Sequence, residues 1–405
     1  MDPNQESSGK LHLPTPLLLL RHLHIEIHTV FSVAKKGSPM KFKSERDILV
    51  EALTAASRVA ATRLIGASSG VLLSLSGNQL IVTGTDLDIT ARTTVDVIGI
   101  EDGATVVPAR LIVDAVRSLE AGAVTVSSGE DNVEISLGRA KFSLRTFPVS
   151  DYPKLPPVAG PSTSIAALDL IQGLNQVVRA AASDDARPLL TGVLFTTNEG
   201  SLRLIATDSY RLAVRDLVGV QAVGDGQDLL VPAKALQELQ RAASSLALDS
   251  EIGVTLTDAE ICFIVGATSI ASRLIEGNYP SVLQLIPASY PNTLRVAKDT
   301  LLTSLKRAKL LAKDSTSSVR LTLKEKNVEI RTQSHDAGDV EDNVDGDYTG
   351  EEITIAFNPT FLIDGIEAVS GDEIILESSD SSRPAMVHGV ADEQFRYLLM
   401  PVRVQ

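Results

Sequence analysis

The chain is short of the residues on which disulfide-stapled folds, metal centres and histidine-dependent enzymes rest. Cys262 is the only cysteine in 405 residues, and it lies in the apolar run 261–265. One thiol closes no internal disulfide, which fits a reducing cytoplasm and a plain buried role. Of six histidines, four (His12, His22, His24 and His28) precede residue 40, leaving only His335 and His388 in the body. Histidine catalysis or a multi-histidine metal centre in the body is therefore not expected. The alternating His22, His24 and His28 are read as incidental, so neither metal nor cofactor is anticipated.

Long apolar runs are also missing. No stretch reaches the roughly 18 residues of a membrane helix, so no membrane partner is expected. Residues 17–20 followed by Ser32 and Ala34 imitate a signal peptide. However, Arg21, His22, His24, Glu26 and His28 interrupt it, and Asp2 and Glu6 stand where a basic leader belongs. Residues 1–39 read as a disordered extension or the product of a start codon placed too far upstream, ahead of a first domain opening at Met40.

What is present suits a multidomain globular chain. Hydrophobic residues make up 44% and charged residues 22%, which argues against disorder, and the length suits two to four domains. Net charge is −14, so the molecule does not coat nucleic acid over its whole surface; a local basic face stays open.

The strongest signal is an internal repeat. Val107-Pro108-Ala109-Arg110 returns as Val231-Pro232-Ala233-Lys234, and more weakly as Phe357-Asn358-Pro359-Thr360. These prolines are 124 and 127 residues apart. Gly84-Thr85-Asp86-Leu87-Asp88 is echoed by Ala206-Thr207-Asp208-Ser209-Tyr210. A period this long makes each copy a domain: 40–156, 157–286 and 287–405, with proline-rich joints. Each copy reads as two helices against a sheet, an α+β architecture repeated in tandem. In the first copy the helix should span 44–61, capped by Ser44, with Ile48, Ala52, Ala55 and Val59 inward. Strands are expected at 70–75 and 79–83 about Gly77-Asn78, and at 191–196 and 202–206 about Asn198-Glu199-Gly200. Pro108 and Pro232 should open the second helices.

Positive charge concentrates on those helices. Arg110 and Arg117 repeat as Lys234 and Arg241, seven residues apart in both copies and so on one helical face. Lys306, Lys309 and Lys313 form a row on the first helix of the third copy. A solvated face explains any one helix, but recurrence at equivalent sites points to two electrostatic faces, one suited to phosphates without base readout. Asp364 and Glu367 break the pattern on the last helix.

These motifs, with Met40-Lys41-Phe42, Phe142-Ser143-Leu144, the run from Ala206 to Val214 and the tail from Tyr397 to Arg403, resemble the bacterial sliding clamp family, the β subunit of DNA polymerase III holoenzyme. The resemblance runs from Met40 to Gln405. It implies a ring-forming DNA clamp fold, closed as a head-to-tail homodimer around double-stranded DNA. It implies a non-enzymatic processivity role in the cytoplasm, with the polymerase III catalytic subunit, the clamp loader and repair polymerases as partners. Arg63, Arg110, Arg117, Lys234, Arg241, Lys306 and Lys309 would then face DNA, as would Arg187 in an unexpectedly acidic loop. The partner cleft would take Leu190, Thr207, Tyr210, Arg211 and Leu212 from the second domain, with Pro280 and Leu285 from the joint. The third would add Asn358, Phe361, Met400, Pro401, Val402 and Arg403. Gln284 and Thr316 depart from the family's rim. The dimer interface would pair Phe142 and Leu144 with Leu310 and Leu311.

Two other classes remain for comparison. A hydrolase could use Asp86, Asp88 and Asp208, but no Gly-x-Ser-x-Gly elbow or phosphate loop accompanies them, and turnover lost on changing Asp208 would identify one. An adhesion scaffold would fractionate outside the cytoplasm.

Overall fold

The computed structural model describes residues 39–60, 66–224, 226–247, 249–312, 318–334 and 338–403. Arg63, Lys313, Thr316, His335 and the histidines before residue 40 lie outside these residues. The described residues hold six α-helices: α1 (Arg46–Val59), α2 (Ala109–Arg117), α3 (Ala167–Val177), α4 (Ala233–Ala242), α5 (Lys298–Lys309) and α6 (Pro359–Ala368). They lie among antiparallel sheets, two helices to each sequence repeat, so the α+β architecture in three repeats is present. No helix of the described residues is long and apolar enough to cross a membrane.

The described residues divide into two compact units, the first taking those up to 84 with 94–153, the second 85–93 with those from 154 onward. In the first unit, α1 and α2 pack together. Their core includes Leu53 and Ile112 from the helices and Phe42, Leu73, Val126 and Ile135 from the strands. The five-stranded sheet runs Ile98–Glu101, Lys41–Glu45, Ala123–Ser128, Asn132–Leu137 and Ala140–Arg145.

Three local expectations are corrected here. Ser44 does not cap α1: it belongs to the strand Lys41–Glu45, and the helix starts at Arg46 with no side-chain cap. Its inward face is Leu49, Ala52, Leu53, Ala56 and Val59, while Ile48 is 51% exposed and Ala55 half-buried. Two apolar stripes overlap in this helix, and the one with two leucines, Leu49 and Leu53, buries more apolar area than the one with Ile48 and Ala55 and takes the core. Pro108 and Pro232 are not helical. Each ends a strand at the sheet margin, where no N–H is needed, and α2 and α4 begin one residue later.

The second unit carries the other two repeats. The strand Arg211–Leu217 pairs with Phe395–Leu399, from Arg211 opposite Leu399 to Arg215 opposite Phe395, so one sheet runs from the second repeat into the third. This junction brings residues nearly two hundred positions apart into one wall.

The duplicated Thr-Asp motif is a turn reproduced atom for atom. Thr85 Oγ1 accepts from Leu87 N at 3.0 Å, and Asp86 Oδ1 accepts from Asp88 N and Ile89 N at 3.1 and 2.7 Å. In the second copy Thr207 Oγ1 accepts from Ser209 N at 3.1 Å, and Asp208 Oδ1 accepts from Tyr210 N and Arg211 N at 2.9 and 3.0 Å. Leu87 and Ser209 both adopt positive φ, at 82° and 79°. That backbone is unfavourable for side-chain-bearing residues, and the threonine and aspartate bonds hold it. Asp86 and Asp208 therefore close turns.

Candidate partner cleft and cationic helix faces

The candidate cleft residues gather around the junction between the second and third repeats. Leu194, Ile205, Leu212, Val214, Leu230, Val282, Met386 and Leu398 form one apolar cluster, with Tyr279, Ile286 and Tyr290 packed against it. Alternation along the strands sends these side chains to the same face. Leu212 is buried, as is Leu190. The hydroxyl of Tyr290 is buried without a partner among the described residues, and burial pushes its phenol up to about 12.

Above this floor stand large side chains that water still reaches: Tyr210 at 59% exposure, Leu285 at 55% and Met400 at 40%. Tyr210 stacks on Phe361, with ring centroids 6.3 Å apart at 27°. The Arg211 guanidinium sits 4.4 Å above the Phe361 ring and pairs with Asp208 at 3.0 Å and Asp364 at 2.6 Å. Burial opposes the charge of Arg211, but Tyr397 and the carboxylates of Asp364 and Asp208 outweigh it and hold its pKa above the ordinary value. The C-terminal segment is strapped on both sides: Met400 N donates to Tyr210 O at 2.9 Å and Val402 N to Ala356 O at 2.7 Å.

The structure thus brings Tyr210, Arg211, Phe361 and Met400 together, with Leu212 beneath and Thr207 binding the Arg211 carbonyl at 2.6 Å. Pro280 and Arg403 are exposed, and Pro401 and Val402 half-buried. Gln284 is exposed in the single turn Leu283–Leu285. The Asn358 side chain is engaged as the N-cap of α6, accepting from Thr360 N and Phe361 N. Val282, Met386, Leu398, Tyr290 and Asp364 were not named from the sequence as cleft residues. No motif marked Val282, Met386 or Tyr290, Leu398 entered only within the family-like tail, and Asp364 only as a break in a positive pattern.

The helix cations are exposed as their seven-residue spacing predicts. Arg110 and Arg117 lie on the outer face of α2, with Asp114 between them; Lys234 and Arg241 lie on α4, with Glu238 between. Arg117 donates to Thr54 Oγ1 at 3.1 Å, and Arg241 pairs with Glu238. On α5, Lys306 pairs with Glu367 at 2.8 Å, whereas Lys309 is exposed. Arg187 is exposed but turned onto the neighbouring turn, donating to Ser209 Oγ at 2.7 Å and Asp208 O at 3.3 Å.

Two of the strand edges left open among the described residues carry or adjoin the residues expected at a dimer interface. Ala140–Arg145 ends its sheet, with Phe142 and Leu144 packed inward and Lys141, Ser143 and Arg145 exposed. The first eight residues of Gly338–Thr349 pair only with Asn327–Ser334 among the described residues. Leu310, at the end of α5, is 69% exposed, and Leu311 is half-buried. Among the described residues, no three His, Cys, Asp or Glu are placed to hold a metal ion.

Comparison with known proteins settles the family. The N-terminal, central and C-terminal domains of the DNA polymerase III beta subunit match residues 40–156, 164–281 and 283–403. The chain belongs to the DNA polymerase III beta subunit family. It is 32% identical over 378 residues to the beta sliding clamp of Streptomyces coelicolor, covering 90% of this chain and all of that one. The crystal structure of the Bartonella birtlesii sliding clamp bound to griselimycin shares 28% identity, with a TM-score of 0.83 over 91% of this chain and all of that one. The Bacillus subtilis polymerase sliding clamp shares 27%, with a TM-score of 0.81 over the same shares. As a beta subunit, the chain is a DNA sliding clamp of replication, a processivity factor without catalytic activity of its own.

Proposed function

We propose that two copies of this beta subunit close head to tail around duplex DNA, and that the cleft holds short extended motifs of its partners. Those partners are the polymerase III catalytic subunit, the clamp loader and repair polymerases. The three sequence repeats, 40–156, 157–286 and 287–405, are the clamp modules, preceded by the extension 1–39, and the assembly works in the cytoplasm.

The observation that carries this reading is the cleft wall, where exposed Tyr210, Leu285 and Met400 rim a buried apolar cluster. Apolar surface left in water is unfavourable by about 25 cal/mol per Å², and a peptide bearing leucine or phenylalanine would cover it. The unbranched Met400 can repack around different ligands, which suits a hub.

Closure uses the two open edges. Unpaired strand edges invite pairing, and these carry opposite charge: Arg139, Lys141 and Arg145 on one, Asp339, Glu341 and Asp345 on the other. Complementary charge sets register and suppresses wrong pairings. Phe142 and Leu144 would meet Leu310 and Leu311 of the second copy. Two different patches are used, so closure depends on the angle between copies. Arg110, Arg117, Lys234, Arg241 and Lys309 would meet phosphates, with Arg187 contributing once released from its turn and Lys306 once released from Glu367; Arg63 has the same role by its place in the sequence. Such contacts carry no base readout, so the topological link supplies processivity.

The test is retention. A loaded dimer should stay on nicked circular DNA and run off the same DNA once linearised; equal loss from both would refute encirclement. Met400→Ala with Pro401→Ala should weaken binding of a polymerase-derived peptide by about tenfold or more, equivalent to about 1.4 kcal/mol, without dissociating the dimer. Unchanged affinity would refute the cleft.

A further inference from the structure

The helix that breaks the positive pattern is fully engaged. Glu367 on α6 accepts from the Arg179 guanidinium at 2.9 Å and from the Lys306 ammonium at 2.8 Å. Its carboxyl is held below the ordinary range by the hydrogen bond from Lys306, against an opposing effect of burial, with Arg179 adding to it. Asp364, one turn earlier, takes Arg211 at 2.6 Å and lies 3.8 Å from Arg179. The helix is fixed in place by Gln176 Nε2 donating to Ala368 O at 2.9 Å and by Lys298 donating to Glu367 O at 3.2 Å. By contrast, Arg110, Lys234 and Lys309 are exposed and make no ion pair with any described residue.

We propose that Glu367 sets the strength of the clamp's grip on DNA by holding Arg179 and Lys306 in ion pairs, so that Arg110, Lys234 and Lys309 carry the phosphate contacts. The proposal deepens the DNA-facing reading of the helices and rests on it. A lysine that approaches a phosphate with its carboxylate attached brings no net charge and displaces no counterion. To bind, it must first leave Glu367. Arg179 and Lys306 are about half exposed, with side chains at 53% and 56%; Glu367 is the nearer carboxylate to Arg179, with Asp364 at 3.8 Å, and it pairs Lys306 at 2.8 Å. A looser grip lowers drag on a ring that must slide.

The test is the salt dependence of full-chain binding to a fluorescein-labelled linear duplex. Each phosphate-bound cation contributes about −0.9 to the slope of log K against log salt. Glu367→Gln should steepen the slope by about 0.9 to 1.8, so that affinity falls an additional factor of about 3.5 to 12 between 50 and 200 mM salt. Lys306→Gln should leave the parent slope unchanged yet reduce the gain in the Glu367→Gln background by about 0.9. Lys309→Gln should flatten the slope by about 0.9 in either. A Glu367→Gln slope equal to the parent, with Lys309→Gln still flattened, overturns the role of Glu367 alone. Unchanged slopes in Arg110→Gln, Lys234→Gln and Lys309→Gln overturn the DNA-facing reading and this proposal with it. Should Glu367→Gln fail to fold, Lys306→Gln against Lys309→Gln decides, and equal losses overturn the proposal.

Discussion

Gly365 offers a prediction in which two physical effects have opposite signs. It lies inside α6, where replacing glycine by alanine normally stabilises a helix by about 1 kcal/mol. Here a Cβ would stand 2.3 Å from both Cδ1 and Cε1 of Tyr397 and 3.0 Å from Cγ. Ordinary carbon contact begins near 3.5 Å, so the ring must retreat by about an ångström. It has nowhere to go: Tyr397 is 1% exposed, and its hydroxyl donates to Phe361 O at 2.9 Å. Overpacking of this kind costs about 1–3 kcal/mol, and two ring carbons at once put it at the upper end. The net expectation is a loss of about 2 kcal/mol, or about 4–8 °C in the melting of the second unit. Gly173 is the control. In α3 its Cβ would meet only leucine methyl groups, at 3.0 and 3.1 Å, so Gly173→Ala should be close to neutral. Thermal melting followed by far-UV circular dichroism reads both. A Gly365→Ala chain that melts at or above the parent temperature would show that α6 does not press on Tyr397. Because Tyr397 also lies 3.4 Å from Arg211, peptide affinity should fall in the same variant.

Further outcomes can be checked independently. Phe142→Ala with Leu310→Ala should yield monomers in sedimentation velocity, and an unaltered dimer would refute the edge-strand interface. Asn358→Ala removes the acceptor for two α6 amides, at 2.9 and 3.2 Å; it should cost about 1 kcal/mol of stability, and a melting point equal to the parent would refute the cap. Cys262 is 8% exposed, and burial pushes its thiol up to about 11 from an ordinary 9.0. Its thiolate fraction at pH 8 is therefore roughly a hundredfold lower than that of a free thiol. Maleimide should label the native chain slowly and the denatured chain at once; rapid labelling of the native chain would contradict the burial.

Much of the fold was legible because its signals are local. Alternation placed the strands on either side of Gly77-Asn78 and of Asn198-Glu199-Gly200, and the structure has strands at Gly70–Ser76, Gln79–Thr85, Gly192–Asn198 and Ser201–Thr207. The seven-residue spacing put Arg110 with Arg117, and Lys234 with Arg241, on exposed helix faces. Where local rules allowed two answers, they misled. Ser44 fitted a cap but was drawn into the strand pairing with Ala123–Ser128, and Ile48 fitted one apolar stripe while the stripe with Leu49 and Leu53 took the core.

The sequence alone determined the tandem modules, their turns and the faces on which their cations sit, because each follows from a period of two or 3.6 residues or from a motif repeated along the chain. Tertiary structure alone decided which charges are free and which are paired. Arg211 meets Asp364 across 153 positions, and Arg179 meets Glu367 across 188. Ion pairing depends on distance through space, and that distance is set only once the strands Arg211–Leu217 and Phe395–Leu399 join.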